Sequence, residues 1–150
     1  MLRALTAAAV LTGVLAAPGS AGDRNPRHDL TASSHGRTVQ ASLGTNCTPT
    51  KNGMRCADYA YPLRTEGRLP VHGRGRIVLE FGAEPEEIDA SLRDRRSRSV
   101  HELTARGNGR RSRTIRLPRK LPRGSDRLGV FVAYERGDAD FEVDLRRHRH

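Results

Sequence analysis

Tryptophan is absent from this chain, aromatic residues make up 4% of it, and lysine stands only at positions 51 and 120. The aromatics are Phe81, Phe131, Phe141, Tyr59, Tyr61 and Tyr134, and half of them fall in alternating apolar sets that read as core. Too few remain to build the stacking platforms that single-stranded nucleic acid requires, which argues against specific nucleic-acid reading. The scarcity of lysine leaves almost all of the positive charge on arginine, as translation from a GC-rich bacterial genome would produce without any demand for bidentate guanidinium chemistry. Beyond the first 21 residues there is no second long apolar run, so no membrane-crossing segment is expected. Cysteine is limited to Cys47 and Cys56. Two thiolates without a nearby second pair fall short of a four-ligand zinc site, and no cofactor motif accompanies them. The G-x-S-x-G, C-x-x-C and P-loop patterns are all missing, so no catalytic residue is assigned.

What is present begins with an export signal. Met1 and Arg3 precede an apolar stretch over residues 4–17, followed by Pro18, Gly19, Ser20 and Ala21. A charged start, a short apolar core and a small-residue site predict a cleaved signal peptide over residues 1–21. Cleavage would remove Arg3 and no acid, leaving 26 basic residues against 17 acidic ones and a net charge of +9. No cysteine stands at the cleavage site, so the usual lipid-anchored form is not expected. In an oxidising compartment Cys47 and Cys56 are expected to form one disulfide, whose short loop constrains the unfolded chain by under about 3 kcal/mol.

Residues 22–37 are polar, broken by Pro26 and Gly36, and read as a disordered lead-in. A β-sandwich domain is expected over residues 38–146 and a basic tail over residues 147–150. Within the domain, Ile77, Leu79 and Phe81 alternate with polar neighbours, as do Leu128, Val130, Val132 and Tyr134, and Phe141, Val143 and Leu145. Such period-two patterning marks sheet with one wet face. Strands are predicted over residues 38–43, 57–63, 76–81, 88–94, 100–105, 114–117, 127–135 and 141–145, with hairpin turns at Gly107-Asn108-Gly109 and Arg136-Gly137-Asp138. The predicted fold is therefore all-β: an immunoglobulin-like antiparallel β-sandwich of seven or eight short strands with one disulfide. If Asn52-Gly53 were the centre of a tight hairpin, Cys47 and Cys56 would be out of register, which points to a longer, irregular loop pinched by the bridge.

Several local patterns invite chemistry and have a plainer explanation. His101-Glu102 begins like a zinc-protease helix, but position 105 is alanine and the segment reads as strand. Asp138, Asp140, Glu142 and Asp144 share one strand face; they could hold calcium, yet a solvated face with arginines across the ladder accounts for them. Arg136-Gly137-Asp138 has the residues that a hairpin turn demands, and Asn46-Cys47-Thr48 is a sequon with a bridged cysteine at its centre. His148 and His150 belong to a frayed cationic end, and no metal site is assigned.

The arginines crowd residues 93–98, 110–116 and 119–123. Arg93, Arg95, Arg96, Arg98, Arg110, Arg111 and Arg113 are the candidate contacts to an anionic partner, provided that the hairpin ends lie together. The segment from Cys47 to Phe81, with C-A-D-Y-A-Y-P-L, L-P-V and R-I-V-L-E-F-G, resembles uncharacterised small secreted proteins of actinobacterial type, as do L-P-R-K-L-P-R-G and V-F-V-A-Y-E-R-G-D-A-D-F. That resemblance implies a compact extracellular sandwich and carries no activity or cofactor. The expectation is a secreted, non-enzymatic protein, extracellular or held at the cell envelope by electrostatic attraction to anionic envelope polymer. The alternative is an exported enzyme or inhibitor module with a loop-built site near Asp58, Tyr59, Tyr61 or His72.

Overall fold

The computed structural model describes residue 25, residues 29–107 and residues 109–147. The predicted signal peptide and the histidines of the tail lie outside the described residues. Among those described there are twelve strands and no helix. They are β1 (Leu30–Ser34), β2 (Arg37–Gln40), β3 (Ser42–Thr50), β4 (Gly53–Ala57), β5 (Arg68–Val71) and β6 (Arg76–Phe81) in the first half. The second half holds β7 (Glu87–Arg93), β8 (Ser99–Leu103), β9 (Ala105–Gly107), β10 (Ser112–Arg116), β11 (Arg127–Tyr134) and β12 (Gly137–Arg147).

Two sheets face one another. The first has the order β2-β1-β6-β10-β9, the second β4-β3-β12-β11-β7-β8, with β5 added beside the C-terminal half of β12. All pairings are antiparallel except β5 with β12. The alternating sets do what their period requires. Ile77, Leu79 and Ile115 from the first sheet and Leu128, Val130, Val132 and Phe141 from the second are all fully buried between the layers.

Two segments change sheet in mid-course. β2 runs through Ala41 into β3, and β8 runs through Thr104 into β9, so both edges of the first sheet continue directly into the second. Strands that turn a corner leave few open edges, and this is why the predicted strands over 38–43 and 100–105 each appear as two. The exception is β4, an outer strand whose residues are all exposed.

Three sequence expectations are corrected. Part of the supposed disordered lead-in is β1, which sits between β2 and β6 with Leu30 and Ala32 fully buried. A five-residue strand with three polar positions gives little periodic signal, and its pairing on both sides supplies what its composition does not. The strand predicted over 57–63 ends at Ala57; from there the chain runs as an irregular strap over residues 58–67. The β3–β4 turn is centred on Lys51-Asn52, one residue earlier than Asn52-Gly53. That shift brings Cys47 directly opposite Cys56 and closes the disulfide across the hairpin ladder.

Candidate functional site

Arginine decides the chemistry of this molecule, and it plays two separate roles. The first is internal. On β12 the outward positions Asp140, Glu142 and Asp144 alternate with the core residues Phe141, Val143 and Leu145. Arg93 and Arg127 lie on the same outer face of neighbouring strands. The Arg93 guanidinium grips both oxygens of Asp140 at 3.0 Å and reaches Glu142 Oε1 at 3.4 Å. Arg127 Nη1 donates to Glu142 Oε2 at 2.9 Å, and its Nη2 lies 3.3 Å from Asp144 Oδ1. Arginines across the ladder are as expected, but the face is not solvated: Glu142 is 0% exposed.

The strap is what buries it. Leu63 N–H donates to Glu142 Oε2 at 3.2 Å, the Leu63 carbonyl accepts from Arg127 at 2.8 Å, and Ser42 Oγ donates to the Arg64 carbonyl. Tyr61 Oη donates to Asp140 at 2.5 Å and accepts from the Thr45 amide. Two glycines make room beneath these groups: a Cβ at Gly129 would collide with the Arg93 guanidinium, and one at Gly44 with the Tyr61 hydroxyl. Burial would lower the pKa of Arg93, but Asp140 and then Glu142 more than offset it, so the net shift is upward.

Burial, then the hydrogen bond to Asp140, raises the Tyr61 phenol above its ordinary value. A group that must stay protonated in the fold contributes its stability below the unfolded pKa and loses it as pH rises through the folded one. Tyr61→Phe is expected to cost about 0.5–1.5 kcal/mol at neutral pH. It should also remove from an ultraviolet titration a phenol that ionises above the ordinary tyrosine value. A Tyr61 that ionises at the ordinary tyrosine value would mean that the bond to Asp140 is not made.

The second role is external, and here the seven candidate arginines divide. Arg93 is consumed in the internal network and is withdrawn from the partner surface. Arg98 pairs with Asp94 at 2.6 Å inside the turn over 94–98, and Arg95 lies 3.4 Å from Asp126. Hydrogen bonds from Arg98 and from the Arg96 amide hold the Asp94 carboxyl below its ordinary pKa. Arg113 Nη1 donates to the carbonyls of Gly109 and Ser112, closing its own turn. Arg96, Arg110 and Arg111 are exposed, and no side-chain partner occupies them among the described residues.

The two turns do not come together. The turn over 94–98 precedes β8 and the bend over 109–111 follows β9, at opposite ends of the run over 99–107. At about 3.3 Å per residue that run spans up to roughly 26 Å.

Between those ends lies a second set of arginines that strand spacing alone did not select. On the first sheet Arg76 is the register partner of Arg116, and Arg106 that of Thr114. Ile77 and Ile115, next along each strand, point into the core, so Arg76 and Arg116 point outward. The same face carries the Ser112–Glu80 hydrogen bond at 2.7 Å. Arg76, Arg106 and Arg116, with His101, Glu102, Leu103, Thr104, Thr114 and Pro118, line a cleft of about 380 Å³. No ion pair among the described residues involves these three arginines. Knowing that residues 76 and 116 are paired would have exposed the set, and that pairing is tertiary information.

Of the residues named for a loop-built site, Tyr61 enters a cleft, beside Asp89, Phe131 and Asp140. Asp58 and Tyr59 are exposed on the strap, and His72 packs against His35 with ring centroids 4.3 Å apart and planes tilted by 52°. Among the described residues no group of three or more metal-capable side chains occurs, and there is no helix long and apolar enough to cross a membrane. Comparison with family models, with curated proteins and with solved structures finds no match.

Proposed function

We propose that this is an exported, non-enzymatic β-sandwich that associates with anionic cell-envelope polymer through exposed arginines. One observation carries the reading. Arg76, Arg106 and Arg116 share an outer face and form no ion pair among the described residues, and the exposed Arg96, Arg110 and Arg111 stand toward the two ends of the adjoining edge. In a chain with a formal net charge of +10 these groups supply long-range attraction to a polyanion. Export is supported by the N-terminal pattern and by the Cys47–Cys56 disulfide, which suits an oxidising compartment. The carboxylates beside Tyr61 support a structural role for that region, because Asp140 is held by Arg93 and Tyr61 together.

Binding of this kind releases counterions, so its affinity falls steeply with salt. Co-sedimentation of the purified protein with isolated bacterial envelope should weaken by roughly twentyfold between 50 and 200 mM salt if about three polymer charges are neutralised. Binding that persists unchanged in high salt, or no binding at low salt, would overturn the proposal.

A further inference from the structure

We infer that the cleft between β6, β10 and the β8–β9 edge is a discrete phosphate-binding subsite for the phosphodiester or phosphoanhydride groups of a polyanion. The inference rests on the electrostatic reading above and gives it a ligand class and an address. Its starting point is an arrangement that the fold does not need for itself. Arg76 and Arg116 are directly opposite one another in an antiparallel pair, and like charges so placed oppose the pairing. Their backbones cannot separate to relieve this. Ile77 and Ile115 anchor the adjacent positions at 0% exposure, and beyond the strand ends Leu117 N–H donates to the Gly75 carbonyl at 2.9 Å and Arg74 N–H to the Pro118 carbonyl at 3.0 Å.

Arg106 joins from the third strand. Its register partner Thr114 is two residues from Arg116 on the same face, so three guanidiniums stand on three adjacent strands around one cleft. Glu102 is the single acid of the lining, and its Oε1 accepts a hydrogen bond from Ser99 Oγ at 2.6 Å. The cleft therefore has an excess of positive charge, and no ion pair among the described residues joins Glu102 to its arginines.

The geometry favours phosphate over carboxylate. A carboxylate presents two oxygens in one plane, enough for one guanidinium fork, as Arg93 makes on Asp140, or for one arginine on each oxygen, as at Glu142, but not for three guanidiniums around it. A phosphate group presents oxygens in tetrahedral directions and can accept from forks on different strands at once. Such an anion would neutralise the opposed pair, and Arg110 and Arg111 beyond β9 and Arg96 before β8 are exposed to meet further repeats.

The test uses the full disulfide-bonded protein with two probes of equal charge, inorganic polyphosphate and polyglutamate. Three proteins are compared at one salt concentration: the wild type, Arg106→Gln/Arg116→Gln, and Arg110→Gln/Arg111→Gln, the two variants having lost the same charge. The wild type is expected to prefer polyphosphate by about tenfold, and the cleft variant to lose at least about tenfold in affinity together with that preference. The turn variant should lose only a few-fold, equally for both probes. Inorganic phosphate should raise the melting temperature of the wild type more than that of the cleft variant, which also verifies that the variant folds. Equal losses in both variants, or no preference in the wild type, would sink the subsite and leave diffuse electrostatic attraction standing. Failure of the wild type to bind either probe at low salt would remove both readings.

Discussion

Replacing Glu142 with alanine is expected to destabilise the protein by about 3–5 kcal/mol, a large part of the roughly 5–15 kcal/mol that holds a typical domain together. Glu142 is 0% exposed and accepts from three donors: Arg93, Arg127 and the Leu63 amide. Its removal leaves Arg127, whose side chain is 13% exposed, with Asp144 at 3.3 Å as its remaining acidic partner. A buried pair contributes little net stability against an apolar replacement of the same shape, but breaking it from one side leaves an uncompensated charge. Glu142→Gln should lose less, because the amide oxygen still accepts from Arg127 and the Leu63 amide, with only the contact to Arg93 given up. Urea denaturation measures both changes, and hydrogen exchange locates them. The Leu63 amide should lose protection before the β11–β12 ladder does, because Glu142 is its acceptor. A loss under about 1 kcal/mol for the alanine variant would show that water reaches these groups and that the strap does not seal them.

Gly137→Ala should come next in size. Gly137 starts β12 with φ +101°, and a Cβ there would collide with the Cys47 carbonyl on β3. Two costs combine: about 1–3 kcal/mol for holding an L-residue in that conformation and about 1–3 kcal/mol for overpacking against backbone that cannot rotate away. Gly36→Ala separates them. Gly36 also has positive φ, +70°, but nothing lies within 4 Å of the added carbon, so only the conformational term applies. The gap between the two variants in denaturation free energy is the packing term, and equal losses would show that β3 shifts to accommodate the methyl.

The core was readable because it depends on local alternation. Phe141, Val143 and Leu145 on one side and Asp140, Glu142 and Asp144 on the other follow from period two alone, whatever strands lie beside them. The hairpin from β11 to β12 was nearly as legible; its turn centres on Glu135-Arg136, just before the predicted tripeptide, with Gly137 paired to Tyr134. The disulfide pairing needed only the count of cysteines, whereas its place in the ladder depended on a one-residue choice of turn centre. β1 and β5 were not legible. Both are short, and each gains its strand character from neighbours far along the chain, Leu30 facing Phe81 and Leu69 facing Leu145.

The sequence by itself determined the all-β class, the alternating core positions, the single cysteine pair and the excess of arginine, since each is a property of composition or of near neighbours. Tertiary structure decided which arginines are available. Arg93 looks on paper like any other residue of a basic run, yet it reaches 47 positions along the chain to Asp140 and is lost to any partner. Arg76 and Arg116 look unrelated on paper, yet antiparallel pairing sets them face to face. A guanidinium's availability is settled by what lies within a few ångströms of it, and in a sandwich whose strands change sheets those neighbours come from distant sequence.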